Sequence, residues 1–429
     1  MAVDTVSACA DSQTVMPEAP ILILLGPPGA SRDLKDIERG LDGAPVILGL
    51  GLVERAILAA RRAGYGRVLL LDGNARAAPA AAAIGDWRGL AATLPSHTAP
   101  LIVAPAAILA EKDWLERAAS AWVAPGAWAA IPNRIAMISA ASARAAADAL
   151  SEDGGAEDLA AVEDRLARAF GPLTPIPSGV DPMVVERPED VRAAERRLLK
   201  ALVKGTDGFM ARHVERPISL EISRRLARTA ITPNQMSLIS IAVGICGGPF
   251  FLFPGPLMQT IGALLFLAHS ILDGCDGELA RLKFQQSRLG GVLDFWGDNV
   301  VHSVIFGSMA VGWSLSAGAM WPLGLGAAAI LGTLASAAFV YWRLMRVKDD
   351  GAFASVSASP ERPLARLLDS ASRRDFIYLV ILLALVGKSN WFLVLAALGA
   401  PIYFALVLLA SRPQASMERG STVAPGASP

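Results

Sequence analysis

Six long apolar stretches in the second half of the chain, at roughly 234–253, 258–281, 290–314, 320–343, 375–387 and 391–411, restrict its folding more than any other feature. Most approach the ~20 residues that a helix needs to cross the hydrocarbon of a bilayer. The fifth is short, because Gly387 and Lys388 follow it. Backbone N–H and C=O groups in hydrocarbon must satisfy one another, so such stretches read as helices. The chain of 429 residues is 53% hydrophobic with a formal net charge of zero, which suits a membrane domain and gives no reason to expect nucleic acid as a partner.

Four carboxylates interrupt two of these stretches. They lie in DGCDGELARLKFQQSRLGGVLDFWGD (273–298) as Asp273, Asp276, Asp294 and Asp298. One Asp at the centre of a spanning helix costs about 2.5–3.5 kcal/mol, and less near the membrane surface. Residues three or four apart share a helix face. Asp273, Asp276, Gly277, Ala280 and Arg281 therefore form one stripe, and Gly290, Asp294 and Asp298 a second. Two such stripes face to face make an all-oxygen cage, which favours Mg²⁺ or Mn²⁺ over zinc. The alternative is ion pairing, but the nearby cations are only Arg281, Lys283 and Arg288. The four histidines and three cysteines are scattered, so no nitrogen or sulfur site competes and no disulfide framework is expected.

The pattern D-x2-D-G-x2-A-R-x8-G-x3-D-x3-D, filled here at all eight fixed positions, resembles the signature of the CDP-alcohol phosphotransferases (CDP-alcohol phosphatidyltransferases). The resemblance implies that an acceptor hydroxyl attacks the β-phosphorus of a CDP-alcohol and CMP leaves. It implies two Mg²⁺ or Mn²⁺ ions held by Asp273, Asp276, Asp294 and Asp298, with Asp298 also taking the acceptor's proton. It places CDP at Asp273, Gly277, Ala280, Arg281 and Gly290, and suggests a homodimer. For Gly277 and Ala280, close helix packing through small residues is the competing explanation. His269 and His302, each four residues from a motif acid, could reach the site, although a packing role is the simpler one; Trp296 reads as packing.

Loop charge sets the expected orientation. The connections 254–257 and 315–319 carry no charge, and 387–390 has only Lys388. The 282–289 turn and the segment 343–374 are basic. Both termini and the acidic site are therefore expected on the cytoplasmic side of a cytoplasmic (inner) membrane, in a multi-pass chain. Arg343, Arg346 and Arg374, at the ends of the later spans, are candidate acceptor-binding residues, as are His213 and its neighbouring arginines; positive-inside topology accounts for the same charges.

The first half reads differently. Apolar runs at 21–25, 67–72, 101–104, 122–124 and 135–139 alternate with helical stretches at 51–63, 155–170 and 188–203, which predicts an α/β layer with a parallel sheet. The segments GLVERAILAARRAGYGRVLLLDG (51–73) and ERPEDVRAAERRLLKALVK (186–204) make this half similar to the sugar-phosphate cytidylyltransferases, a Rossmann-like nucleotidyltransferase fold. The family's opening loop is followed by Pro-Lys; here GPPGASRD (26–33) has no such Lys, and it is not a P-loop. Where the family holds a metal-binding Asp the chain reads IVAPAAIL (102–109), with no carboxylate before Glu111; Glu186 stands at the place of a second Asp. A catalytically degenerate domain is expected.

The expected organisation is a disordered leader (1–20) without signal-peptide character, the nucleotidyltransferase-like cytosolic domain (21–203), an interfacial juxtamembrane helix (204–232), a six-span domain (233–411) and a disordered tail (412–429). The fused arrangement, with TPN (232–234) and SRRDFIYL (372–379), resembles enzymes that join inositol phosphate units. A soluble CDP-alcohol donor such as CDP-inositol is favoured over CDP-diacylglycerol, which would make a phospholipid; the acceptor is a lipid or an inositol phosphate. A transporter using intramembrane acids and an inactive scaffold are the non-enzyme alternatives, both opposed by the intact motif.

Overall fold

The computed structural model describes residues 19–26, 46–71, 82–84, 87–94, 99–121, 126–152, 158–176, 179–203, 207–342 and 376–410. It divides into two compact units, Met1–Ala201 and Leu202–Pro429.

The first unit is built on a seven-stranded sheet. Its strands are β1 (Ile21–Leu25), β4 (Arg67–Leu71), β5 (Ala82–Ile84), β6 (Leu101–Pro105), β8 (Trp128–Ile131), β9 (Ile135–Ile138) and β10 (Thr174–Pro175), in the order β10-β8-β9-β6-β1-β4-β5. Two short pairs lie outside it: β2 (Val46–Ile47) with β3 (Leu50–Gly51), and β7 (Ile108–Leu109) with β11 (Met183–Val184). Strand β1 is apolar throughout and buried on both faces, as a central parallel strand must be. It pairs in parallel with β4 and β6, Ile23 lying opposite Leu69 and Val103.

The sheet is mixed rather than all parallel. Strand β9 runs antiparallel to both β6 and β8. Only Pro132, Asn133 and Arg134 separate β8 from β9, far too few for a crossover, and Asn133 turns the chain with φ 57°. The expected strand at 122–124 lies outside the described residues. Helices α1 (Leu52–Arg62), α2 (Trp87–Thr93), α3 (Lys112–Ser120), α4 (Ala143–Ser151), α5 (Leu159–Phe170) and α6 (Pro188–Ala201) complete the unit.

The second unit is helical. A π-turn (Ala211–Glu215) leads into α7 (Arg216–Leu226). There follow α8 (Pro233–Gly247) with a 3₁₀ extension (Gly248–Leu252), α9 (Pro256–Leu282), α10 (Arg288–Ala317), α11 (Trp321–Val340), α12 (Phe376–Leu385) and α13 (Ser389–Ala410). Among the described residues five helical segments are long and apolar enough to span a bilayer: 233–252, α9, α10, α11 and 389–409. The described residues of helix α12 are apolar and number 10, so the fifth of the six expected spans is not among those five segments. Thr232 caps α8 through a capping box with Gln235, with Pro233 in the first turn.

Small residues let these helices approach. A Cβ at position 262 would lie 2.9 Å from the Gly247 carbonyl oxygen, and one at 332 would lie 2.7 Å from the Pro401 nitrogen. At position 312 it would overlap the Phe251 carbonyl oxygen and lie 2.8 Å from Leu252 Cα. Backbone cannot move aside as a side chain can, so Gly312→Ala is expected to lower stability by about 1–3 kcal/mol. A thermal unfolding midpoint in detergent unchanged from wild type would count against this packing.

Candidate metal centre

Helices α9 and α10 carry the acids and meet through a tight turn. Lys283 donates its backbone N–H to Leu279, Phe284 to Arg281 and Gln285 to Ala280. Phe284 holds φ 56°, the left-handed conformation that usually falls to glycine at a helix C-terminus. Ser287 caps α10 by accepting from the Gly290 N–H at 3.0 Å. The turn is also tied down from outside, because the Lys283 ammonium donates to the carbonyls of Thr229 and Ile231, both at 2.7 Å. Burial lowers the Lys283 pKa from its ordinary value.

This hairpin brings Asp273, Asp294 and Asp298 together, with one carboxylate oxygen from each within 4.8 Å of the others. Asp273 is buried; Asp294 and Asp298 are partly open. Three like charges at that separation repel strongly in a medium poorer than water. The donor set, all carboxylate oxygen with no thiolate, fits a hard divalent cation such as Mg²⁺ or Mn²⁺. The fourth motif acid, Asp276, is also buried but its Oδ2 accepts a hydrogen bond from Ser237 on α8. Gly277 lies under the Arg281 guanidinium, where an added Cβ would sit 3.4 Å from Nη1. Ala280 and Arg281 are half-buried on the same helix. A Cβ at Gly290 would lie 2.8 Å from Asn234 Oδ1.

Asn234 and Ser237 make α8 a third wall of the site, which the two-stripe reading missed. The signal was available: Asn234, Ser237, Ser240 and Gly244 recur at helical spacing in an otherwise apolar span. His302 packs among Phe266, Phe306 and Phe376, and Trp296 against Phe295 and Tyr341. His213 is exposed, with Nδ1 2.8 Å from the Phe209 carbonyl oxygen. Arg343, Arg346 and Arg374 lie outside the described residues.

Helix α7 docks on α9 through charge as well as apolar contact. Arg216 grips Asp207 with Nε and Nη2 at 2.9 and 3.0 Å and reaches Glu278 Oε1 with Nη1 at 2.7 Å. Ser219 donates to the same Glu278 oxygen at 2.8 Å. Burial works against the Arg216 charge, yet Asp207 and Glu278 more than offset it and hold its pKa above the ordinary value. Arg224 and Arg225 both bind Glu221 at 2.8 Å, which holds that exposed carboxyl down at about 2.

In the first unit the Val185 N–H donates to the Ala107 carbonyl oxygen at 2.9 Å. Ala107 thus pairs with the residue next to Glu186 in the chain. Glu111 is engaged elsewhere: Arg197 holds it at 2.7 Å and holds Asp181 at 3.1 Å. Burial raises the Glu111 carboxyl pKa, against the pull of Arg197.

Five helical segments long and apolar enough to span a bilayer, with a cluster of acids gathered between two helices, define the class: a multi-pass membrane protein with a candidate metal site. Within that class, residues 230–403 match the family model for CDP-alcohol phosphatidyltransferase, and the C-terminal part of the chain carries a domain of that family. The chain is 42% identical over 111 residues to "Bifunctional IPC transferase and DIPP synthase" of Thermococcus kodakarensis, covering 26% of this chain and 24% of the relative. It is 42% identical over 130 residues to the protein of the same name from Archaeoglobus fulgidus, covering 30% and 26%. The chain thus spans only about a quarter of the length of these curated relatives. Among solved structures, it is similar to Mycobacterium tuberculosis phosphatidylinositol phosphate synthase with CDP-DAG bound, at a TM-score of 0.31 and 20% identity, covering 45% of this chain and 92% of that one.

Proposed function

We propose that the chain is an integral membrane CDP-alcohol phosphotransferase that moves a phospho-alcohol group to an acceptor hydroxyl and releases CMP. The observation that carries this is the gathering of Asp273, Asp294 and Asp298 within 4.8 Å in a domain that matches the family. Asp273, Asp294 and Asp298 would hold two divalent ions, with Asp276 as the fourth acid. Those ions, when bound, spread the charge of the pyrophosphate and the departing CMP. Asp298 takes the proton of the attacking hydroxyl, for which it must come within hydrogen-bond reach. Arg281 offers a permanent planar cation to phosphate, and Gly277, Ala280 and Gly290 leave the nucleotide room beside the helix backbones.

The names of the relatives favour a soluble CDP-inositol donor in inositol-phosphate chemistry. The first unit, read as a Rossmann-like nucleotidyltransferase relative, is proposed to lack cytidylyl transfer of its own. That reading is supported by the lack of a carboxylate in 102–109 and by the engagement of Glu111 with Arg197. In the same reading six helices enter the cytoplasmic membrane with both termini cytoplasmic, α7 lies at the headgroups, Arg343, Arg346 and Arg374 serve the acceptor, and the protein is a homodimer.

The direct test is CMP release by the purified protein from CDP-inositol, CDP-diacylglycerol and CDP-glycerol, each with candidate alcohols and Mg²⁺ or Mn²⁺. Turnover is expected with one donor and is expected to vanish with EDTA. Asp298→Asn is expected to lose about a hundredfold or more in kcat while still binding CDP. Full activity in that variant, or no CMP from any donor, overturns the assignment.

A further inference from the structure

We infer that Ser237 is a positioning residue for Asp276, fixing that carboxylate from α8. The carboxylate oxygens within 4.8 Å of one another belong to Asp273, Asp294 and Asp298. Asp276, three residues beyond Asp273 on α9, accepts at Oδ2 from the Ser237 hydroxyl. Ser237 is 2% exposed and Asp276 is 5% exposed, so the bond is shielded from water. A hydroxyl donating to a carboxylate in such surroundings is among the stronger hydrogen bonds of a protein. The hydroxyl has one hydrogen to give. Its other acceptor, the Pro233 carbonyl oxygen, lies 3.3 Å away in the same helix. Asp276 Oδ2 is the closer of the two and, as a carboxylate oxygen, the better acceptor.

A serine side chain is short, so this bond forms only where two helix backbones come close. One face of α8 supplies that approach, since Ser237, Ser240, Gly244 and Gly247 recur at helical spacing and are all buried. Along this seam an added Cβ at Gly247 would lie 3.1 Å from the Gly262 carbonyl oxygen, and one at Gly244 3.0 Å from His269 Cγ. The Ser240 carbonyl oxygen lies 2.9 Å from His269 Nδ1. Ser237 comes next, where the same seam reaches the acids. The glycines set the distance between the helices, and Ser237 adds a directed bond. A carboxylate with one oxygen tied has its plane fixed, so α8 sets the geometry that the other oxygen offers to an ion. Groups that orient metal-binding side chains change affinity or activity by about 10–100-fold when removed. The eight-position motif does not include Ser237.

The competing reading is a serine bonded only to its own helix, and the protein contains such a residue. Ser336 on α11 is 6% exposed and donates to the Gly332 carbonyl oxygen, four residues back, at 2.8 Å. The test compares S237A, S237T and S336A in the full-length protein. It reads Mn²⁺ affinity, from free Mn²⁺ by electron paramagnetic resonance, alongside kcat. The unfolding midpoint in EDTA separates a change at the site from a loss of fold. S237A is expected to fold and to lose about 10–100-fold in Mn²⁺ affinity or kcat. S237T keeps the hydroxyl and is expected to stay within about fivefold of wild type on both, and S336A within about twofold. A loss under about tenfold on both measures in S237A, an equal loss in S336A, or an equal loss in a folded S237T overturns the inference. If the added methyl prevents S237T from folding, S237A against S336A decides. The inference rests on the proposed metal site, and the two fail separately: a wild-type protein that binds no Mn²⁺ sinks both, whereas normal wild-type binding that S237A leaves unmoved sinks only the role of Ser237.

Discussion

Asp294→Ala is expected to reduce kcat by about three orders of magnitude or more and at the same time to leave the metal-free protein at least as stable as wild type. The first half follows from the geometry. Asp294 is one of three carboxylates within 4.8 Å, so its loss removes a third of the oxygen cage, and metal and electrostatic stabilisation of phosphoryl transfer supply several kcal/mol. The second half follows from Coulomb repulsion. Without divalent ions the three acids oppose one another in a partly buried site, and deleting one relieves that opposition. Saturating Mg²⁺ is therefore expected to raise the unfolding midpoint of the wild type and to leave that of D294A nearly unmoved, because a ligand stabilises only the state that binds it. Thermal unfolding with and without Mg²⁺, beside a CMP-release assay, checks both halves. A D294A protein less stable than wild type in EDTA would mean that the acids are held by protein partners, and the metal reading would fail.

Arg216→Met is expected to have the largest effect on stability. Glu278 is fully buried and receives Arg216 Nη1 at 2.7 Å, while the same guanidinium closes on Asp207. Removing the cation takes Arg216 from two largely buried carboxylates, Glu278 and Asp207, with Ser219 as a remaining hydrogen-bond donor to Glu278. Breaking one side of a buried pair costs about 3–5 kcal/mol. The triple variant R216M/D207L/E278L, in which none of the three charges remains, is expected to recover most of the loss. Unfolding midpoints of the two variants in detergent test this. A single variant within about 1 kcal/mol of wild type would show that α7 does not depend on the pair for its place on α9.

The sequence carried the metal centre far because its spacing is helical. Acids at i and i+3 on one side of a short turn, and at i and i+4 on the other, converge when both segments are helices and the turn is tight, and both conditions hold. The strand β1 was equally legible, since five consecutive buried apolar residues suit a central strand. The antiparallel β9 was not. Its apolar pattern matches a parallel strand, and only the three-residue turn at Asn133 decides its direction. The C-terminal end of α12 was legible, because Gly387 follows it, and there the chain takes φ 68°.

What the sequence determined by itself is the chemistry of the candidate site: which acids, on which helix faces, and hence a cluster of carboxylate oxygens of the kind that suits hard cations. Local periodicity carries that information, because a helix fixes the angle between residues whatever surrounds it. What only the tertiary structure decided is who stands behind those acids. Ser237 and the Ser240 carbonyl are 29 or more residues from their partners Asp276 and His269 in the chain, and reach them across a helix interface. Glu278 likewise finds Arg216 across 62 residues. Such contacts depend on how closely helices approach, and that depends on small residues such as Gly244 meeting particular neighbours. No periodicity within one segment encodes it.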